Sequence, residues 1–229
     1  MLSRPDFDAV LFDLDGVLTA TSKLHAASWK QTFDEVLAEW SQAPFDAERD
    51  YLAHVDGKPR DDGVRDFLAA RGIDVPESRV RSIGERKQAL VEQALRSDGV
   101  EAFPGSVRWV RELRDAGVRT AVVSSSTNSR AVLHSAGIGR LFDEVVDGRD
   151  VARLGLRGKP APDGFLEAAA RLAVSPDRAI VVEDALAGVA AGLAGGFGLV
   201  LGVARSAAPA DLLAAGADMV VDDLAEMAA

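Results

Sequence analysis

Residues 8–19, Asp-Ala-Val-Leu-Phe-Asp-Leu-Asp-Gly-Val-Leu-Thr, join a short apolar run to two closely spaced carboxylates. The run Ala9–Phe12 is continuously apolar, which predicts a strand that is covered on both faces inside a parallel sheet. Asp13 and Asp15 lie two residues apart, so their side chains are expected to project together beyond the end of this strand. Gly16 then permits a sharp turn of the chain.

Two carboxylates held this close repel each other, and a bound divalent cation would relieve the repulsion. Mg²⁺ is the expected ion, because it accepts carboxylate, carbonyl and phosphate oxygens without a dedicated protein cage. The pair therefore indicates metal-assisted phosphoryl transfer. Taken alone, it is equally compatible with two aspartates that cap a turn.

The bulk composition excludes several classes of function. A chain of 229 residues with 48% hydrophobic residues is long enough for one large domain or for a domain with a sizeable insert. The net charge of −10 and the absence of a basic cluster argue against nucleic-acid binding. There is no cysteine, which excludes disulfides and thiolate chemistry. The first residues lack the apolar segment of a signal peptide, so a cytoplasmic location is expected.

Apolar runs alternate with helical patterns along most of the chain, which predicts an α/β fold with a Rossmann-like, doubly wound parallel sheet. Residues 185–204 carry no charge, but their glycines favour a helix followed by a strand over a membrane span, and no membrane association is expected. A last helix is predicted at Pro209–Ala215. The predicted strands are Ala9–Phe12, Val118–Val123, Glu144–Val146, Ala179–Val182, Phe197–Val203 and Met219–Val221.

The interval from Thr21 to Gly99 breaks this alternation, because it shows amphipathic helical patterns and no convincing strand. It predicts a helical insert directly after the first strand. The edges of the insert are expected where small residues, a glycine and a proline interrupt the pattern. The predicted division is a Rossmann-like core formed by residues 1–18 and 101–229 and an inserted α-helical cap domain formed by residues 19–100.

Ligands of open parallel sheets bind beyond the carboxyl ends of the strands, and three later strand ends carry suitable side chains. Ser124 opens a run of hydroxyls and backbone N–H groups that suits phosphate, although a plain helix N-cap also explains such a run. Lys159 lies beside a proline before a helix predicted over residues 164–173, which suits a positioned phosphate ligand, whereas the alternative is an exposed loop lysine. Glu183 and Asp184 end another apolar run where a helix begins, a place where acidic residues also serve as caps.

These four segments, in this order, resemble the four motifs of the haloacid dehalogenase-like superfamily, and the insert after the first motif resembles its subgroup with a helical cap. The resemblance covers the whole chain. It implies that Asp13 is a nucleophile that forms an aspartyl-phosphate and that Asp15 is the general acid and base. Ser124 and Lys159 would bind the transferring phosphoryl group. The resemblance also implies Mg²⁺ as cofactor, with a ligand set of Asp13, the Asp15 carbonyl, Asp184 and the nearby Glu183.

Within the superfamily, the cap segments resemble those of the β-phosphoglucomutases, which interconvert β-glucose 1-phosphate and glucose 6-phosphate through a bisphosphate. The segments Thr21–Trp29, Val55–Arg60 and Glu85–Gln88 carry this likeness. Asp56 departs from it, because a basic residue is expected there, and Ala20 replaces an acidic hinge residue. The likeness implies that the substrate is bound by His25, Gly57, Arg60, Lys87, Ser125 and Asn128.

An alternative explanation of His25 and Trp29 is a helix face packed inside the cap, since they lie four residues apart.

Three functions stay open at this point. The first is a sugar-phosphate mutase, favoured by Lys58, Arg60 and Lys87 as cations for a second phosphate. The second is a phosphatase in which water attacks the same aspartyl-phosphate. The third is a catalytically silent binding protein, against which the intact motif residues argue. The expected partner is a small phosphorylated substrate, and a sugar phosphate is favoured. The chain is expected to be a monomer or a weak dimer.

Overall fold

The computed structural model describes residues 7–205 and 207–228, and its centre is a six-stranded parallel sheet. The order of the strands across the sheet is β3-β2-β1-β4-β5-β6, which confirms the predicted doubly wound α/β fold. The strands are β1 (Ala9–Phe12), β2 (Arg119–Val123), β3 (Glu144–Val146), β4 (Ala179–Glu183), β5 (Leu199–Val203) and β6 (Met219–Val221).

Two strands begin later than the apolar pattern predicts, because neighbouring turns use the first residues. The N–H of Val118 donates to the carbonyl of Leu113 and closes the end of the preceding helix, so β2 begins at Arg119. The N–H of Gly198 donates to the carbonyls of Pro176 and Ala179, so β5 begins after this turn.

Strand β1 occupies the middle of the sheet, paired with β2 on one side and β4 on the other. Its residues alternate between two apolar layers. Val10 and Phe12 face the layer that contains Trp109, whose ring meets that of Phe12 edge to face at 5.5 Å. Leu11 faces the opposite layer, with Phe165. Since both faces are covered, the continuous apolar run of β1 is explained.

Helices follow most strands and cover both faces. The bounds outside the insert are α4 (Pro104–Asp115), α5 (Ser129–Ser135), α6 (Gly148–Leu154), α7 (Asp163–Arg171), α8 (Leu186–Ala194) and α9 (Pro209–Ala215). The uncharged stretch 185–204 forms α8 and β5, as predicted. In the part of the chain that the structure describes, no helix combines the length and apolar character needed to cross a bilayer.

The helical insert lies between β1 and α4, and residues 21–99 contain no strand. It consists of α1 (Ser22–Glu39), a π-helical turn (Tyr51–Val55), α2 (Arg60–Ala70) and α3 (Glu77–Asp98), which pack around their own apolar cluster. The rings of Phe33 and Phe67 lie 4.2 Å apart at its centre. The two connections to the sheet run side by side, because Ala20 N–H donates to the carbonyl of Glu101 at 3.0 Å. The predicted domain boundaries themselves stay a prediction.

Candidate active site

The carboxyl ends of β1, β2 and β4 converge on one lysine. The Nζ of Lys159 donates to Asp13 Oδ1 at 2.5 Å, to Glu183 Oε1 at 2.5 Å and to the carbonyl of Val123 at 3.1 Å. Lys159 is only 6% exposed, so the alternative of an exposed loop lysine is wrong. The three elements that supply these oxygens are adjacent in the sheet, which is why residues so distant in sequence meet.

The protonation of this group is set by burial and by mutual charge. Burial by itself would lower the pKa of Lys159, but the carboxylates of Asp13 and Glu183 outweigh it and raise the pKa above its ordinary value. Burial raises the pKa of Asp13, against the opposing effect of Lys159. Burial also raises the pKa of Glu183, to about 7, because Lys159 offsets only part of the desolvation. A single ammonium therefore does not compensate all the carboxylates at this edge.

Asp13, Glu183 and Asp184 fit a divalent cation. Each is buried, and one carboxylate oxygen from each lies within 4.8 Å of the others. Burial and four neighbouring carboxylates raise the pKa of Asp184 well above its ordinary value, and no hydrogen bond to its carboxylate is found among the described residues. Gly16 makes room for this carboxylate, since a Cβ there would lie 1.9 Å from Asp184 Oδ2. Oxygen donors with excess negative charge suit Mg²⁺.

The side chain of Asp15 turns away from this cluster and towards the helical insert. Its Oδ1 accepts a hydrogen bond from the hydroxyl of Thr21 and lies 3.4 Å from His25 Nε2. The other ring nitrogen of His25, Nδ1, lies 2.7 Å from Lys87 Nζ. Both side chains line the same cavity beyond the end of β1, as predicted, but their carboxylates bind different partners. Of the predicted metal residues, only Asp15 keeps its carboxylate out of the cluster.

The electrostatics of Asp15 differ from those of Asp13. Burial by itself would raise the pKa of Asp15, but His25, Thr21 and Lys87 outweigh it and lower the pKa to about 2. Burial lowers the pKa of Lys87 to about 7, although Asp15 opposes the shift. Asp15 is thus ionised in this arrangement, whereas burial of Asp13 favours its neutral form.

The hydroxyl run after β2 lies at the same edge. Ser124 is buried, and its Oγ accepts a hydrogen bond from the N–H of Ser126 at 3.1 Å. Helix α5 begins later, at Ser129, and Asn128 precedes it without a side-chain cap. Ser124 therefore stabilises a turn and does not cap α5. In the Glu183–Asp184 pair, Glu183 Oε2 accepts hydrogen bonds from the N–H groups of Asp184 and Ala185, each at 3.1 Å. Glu183 therefore also caps backbone N–H groups just before α8, which was the alternative explanation of this pair.

The insert closes over this edge through several direct contacts. Ser125 Oγ donates to the carbonyl of Gly57 at 2.8 Å, and Gln88 Nε2 donates to Asn128 Oδ1 at 2.7 Å. Gly57 has a φ of +70°, and a Cβ at this position would lie 2.8 Å from Ala185 Cβ. A cavity of about 290 Å³ remains between sheet and insert, lined by Asp13 and Asp15 together with insert residues. Its volume suits a small ligand.

Arg60 and Lys58, predicted as cations for a second phosphate, also line the cavity but bind carboxylates of the insert. Arg60 Nε donates to Asp61 Oδ1 at 2.9 Å, and Lys58 Nζ donates to Asp66 Oδ2 at 2.5 Å. The positive charge they offer to an anion is therefore partly neutralised. Lys87, the third predicted cation, lies against His25 and over the ring of Trp29 at 5.0 Å. Trp29 itself packs on Phe33, so the packing alternative holds for Trp29 and not for His25.

Comparison with known proteins places this geometry in a family. The haloacid dehalogenase-like hydrolase family matches residues 7–196, which include all the site residues described in this section. The chain belongs to this family. The match confirms the predicted superfamily and shows that the protein is an enzyme of the phosphomutase or phosphatase kind.

Relatives within the haloacid dehalogenase-like family include both kinds of enzyme. The chain is 47% identical to a β-phosphoglucomutase of Mycobacterium tuberculosis, over 96% of this chain and 90% of that protein. It is 30% identical to hexitol phosphatase A of Escherichia coli, over 81% of this chain and 78% of that protein. A solved structure of CbbY from Rhodobacter sphaeroides in complex with xylulose-1,5-bisphosphate is 26% identical, with a TM-score of 0.77 over 96% of both chains. The predicted likeness to β-phosphoglucomutases is thereby confirmed.

Sequence reasoning missed the roles of several residues around Asp15 and the cavity. Thr21 lies two residues after Thr19 and carries a hydroxyl, but nothing in the sequence pattern indicated that this hydroxyl donates to Asp15. Gln88 follows Lys87 on α3 and contacts Asn128 at the sheet edge. Sequence spacing does not reveal such a contact between the insert and the sheet. Tyr51 lines the cavity from the π-helical turn, an element without a sequence signature.

Proposed function

We propose that the protein is a Mg²⁺-dependent phosphoryl-transfer enzyme that acts on a sugar phosphate through an aspartyl-phosphate at Asp13, and that its reaction is that of a β-phosphoglucomutase. One observation carries the proposal: two aspartates two residues apart have different partners. Asp13 binds Lys159, whereas Asp15 binds Thr21 and His25. Nucleophile and proton carrier need such separate environments. The similarity to the mycobacterial β-phosphoglucomutase supports the choice of reaction.

In the proposed reaction, a carboxylate oxygen of Asp13 attacks phosphorus in line, and the bond to the sugar oxygen breaks. Lys159 binds Asp13 and Ser124 lines the same cavity, so both can hold the equatorial phosphoryl oxygens as charge develops on them. Asp13 Oδ1 is already oriented by Lys159, which restricts the carboxylate before substrate binds.

Asp15 moves the proton. It is ionised in the described arrangement, so it can accept the proton of a sugar hydroxyl that attacks the aspartyl-phosphate, which gives the sugar bisphosphate. When the other phosphate is transferred back to Asp13, the same carboxyl returns that proton to the leaving oxygen. Thr21 and His25 hold Asp15 in place for both steps.

The residues that would hold Mg²⁺ are Asp13, Glu183 and Asp184, with the backbone carbonyl of Asp15 as a further oxygen. A bound Mg²⁺ supplies charge that stabilises the phosphoryl oxygens in the transition state. Gly16 and Gly188 allow the carboxylates of Asp184 and Glu183 to lie directly against the main chain.

The test is to incubate the protein and Mg²⁺ with β-glucose 1-phosphate and a trace of glucose 1,6-bisphosphate, and to follow glucose 6-phosphate and free phosphate separately. We expect glucose 6-phosphate without free phosphate. Asp13→Asn should abolish the reaction, and product formation by this variant would contradict the role of Asp13 as nucleophile. A non-catalytic binding role would be favoured if the wild type bound the sugar phosphate and formed neither product.

A phosphatase is the second candidate, since hexitol phosphatase A is among the relatives. It would use the same aspartyl-phosphate but let water attack it. Asp13 is only 7% exposed, and this limited access of water favours the mutase. Release of free phosphate as the main product would decide for the phosphatase.

The division into a core of residues 1–18 and 101–229 and a cap of residues 19–100 is part of this proposal, as is a cytoplasmic location.

A further inference from the structure

One carboxylate in the cavity has no role in the chemistry proposed above. Asp56 follows the π-helical turn and lines the cavity together with Asp13 and Asp15. It is only 9% exposed, and among the described residues no group forms a hydrogen bond with its Oδ2, which is fully buried. An unpaired buried acceptor costs about 1–3 kcal/mol, and more when it is charged. Such a group calls for a partner that enters the cavity.

The position of Asp56 is fixed by its surroundings. Its N–H donates to the carbonyl of Tyr51 at 3.0 Å, which closes the π-helical turn. The next residue, Gly57, contacts Ser125 and Ala185 of the sheet edge. Asp56 is therefore held rigidly from the insert side.

The cations nearby in the insert do not satisfy this carboxylate. Lys58 binds Asp66, Arg60 binds Asp61, and Lys87 lies against His25. A metal role for Asp56 is not supported either, because the acidic group with metal-ligand spacing among the described residues consists of Asp13, Glu183 and Asp184.

The unpaired oxygen of Asp56 restricts which part of a substrate can pair with it. A phosphate dianion offers only acceptor oxygens and no proton to donate. A sugar hydroxyl carries no charge and offers a proton to an acceptor oxygen. Of the parts of a sugar phosphate, a ring hydroxyl is the one that matches Asp56 Oδ2.

We infer that Asp56 determines substrate specificity by accepting a hydrogen bond from a ring hydroxyl of the sugar phosphate. The inference rests on the proposed function only in taking the substrate to be a sugar phosphate. A site built to bind a hydroxyl discriminates strongly against the analogue that lacks it, since the buried acceptor is then left unpaired.

The experiment measures by calorimetry the Kd of glucose 6-phosphate and of its 2-, 3- and 4-deoxy analogues, with Mg²⁺ present, for the wild type and for Asp56→Ala. In the wild type we expect one analogue to bind roughly 10- to 100-fold more weakly than the parent. In Asp56→Ala this difference in Kd should shrink to within about threefold, because the ring hydroxyl no longer has the Asp56 carboxylate as its acceptor. The matched control is Asp74→Ala, which removes an exposed carboxylate of the same insert and should leave the pattern unchanged. Asp56→Asn keeps the side-chain shape and one accepting oxygen, and should give an intermediate difference even if Asp56→Ala does not fold.

Equal penalties for every analogue in the wild type and in the Asp56 variants would overturn the inference, as would a wild type that does not bind glucose 6-phosphate. Formation of glucose 6-phosphate from β-glucose 1-phosphate is followed separately. If this product forms and the coupling is absent, only the role of Asp56 is wrong. If the coupling is present and no product forms, the role of Asp56 stands and the proposed reaction is wrong.

Discussion

Gly16→Ala tests whether the close approach of Asp184 to the chain after β1 is needed for metal binding. A Cβ at this position would lie 1.9 Å from Asp184 Oδ2 and 2.7 Å from its Cγ, so the carboxylate must retreat by about 1.5 Å to reach an ordinary contact distance of 3.4 Å. A misplacement of about 1 Å at a catalytic site can cost roughly 100-fold in rate. We therefore expect turnover to fall by about 10- to 100-fold and the Mg²⁺ concentration for half-maximal activity to rise by a similar factor.

The substitution also has a backbone cost that must be separated from the effect on Asp184. Gly16 has a φ of +93°, where an alanine costs about 1–2 kcal/mol. Gly72→Ala is the matched control, because Gly72 has a φ of +67° and a Cβ there would meet nothing within 4 Å. Both variants should lose a similar free energy of unfolding in urea, but only Gly16→Ala should lose Mg²⁺ affinity.

Two measurements check this prediction. The first is turnover of β-glucose 1-phosphate as a function of Mg²⁺ concentration. The second, which does not depend on activity, is the rise in Tm that Mg²⁺ produces by binding to the folded state. The rise should be smaller in Gly16→Ala than in the wild type and in Gly72→Ala. Wild-type turnover and Mg²⁺ dependence in Gly16→Ala, or equal losses in the two variants, would refute the reasoning.

Further predictions concern single side chains. Lys159→Met should abolish turnover. In the absence of Mg²⁺ it should also lower the free energy of unfolding by about 3 kcal/mol at neutral pH, because two buried carboxylates lose their cation. Urea unfolding measures this loss of stability, and an unchanged midpoint would contradict it. His25→Ala should reduce kcat by roughly 100-fold with a smaller change in KM, since Asp15 loses a partner; steady-state kinetics at saturating substrate checks this. Phe33→Ala should lower the free energy of unfolding by about 3–5 kcal/mol, because the ring is fully buried against Phe67. Burial by itself would raise the pKa of Asp150, but hydrogen bonds from arginines, Arg153 first, lower this pKa to about 2. The contribution of Asp150 to the stability of the fold is therefore present above the ordinary pKa of an aspartate and is lost as the pH falls towards 2. Asp150→Asn should therefore flatten the fall in urea stability over that acidic range, and a parallel fall in both proteins would show that Asp150 is not responsible.

The sequence allowed the sheet and the residues after its strands to be predicted, because both depend on local patterns. Ala9–Phe12 is apolar at every position, as a strand buried on both faces must be, and this placed Asp13 at the active edge. The role of Lys159 as a positioned phosphate ligand was likewise predicted from a local pattern, a lysine beside a proline before a helix. The side-chain direction of Asp15 was not predictable, since it depends on Thr21 and His25.

Contacts within the insert could not be predicted from spacing. His25 and Lys87 are 62 residues apart, on different helices, and they meet only because α1 and α3 pack together. The pairing of Arg60 with Asp61 was also missed, although the two are neighbours in sequence. An arginine can extend in several directions, and spacing does not show which one is taken. Arg60 lies against Gly84 of α3, where a Cβ would lie 2.7 Å from Arg60 Nε.

The two aspartates after β1 depend on different parts of the molecule, and this links the chemistry to the position of the insert. The cation on Asp13 comes from the sheet side, since Lys159 also binds Glu183 and Val123. The partners of Asp15 come from the insert and its first connection. A displacement of the insert would separate His25 and Lys87 from Asp15 but leave Lys159 on Asp13. Under the proposed function, the nucleophile is thus organised from the sheet side alone, whereas the proton carrier is organised only while the insert contacts the sheet. Proton transfer would then be confined to the state in which the insert covers the sheet edge.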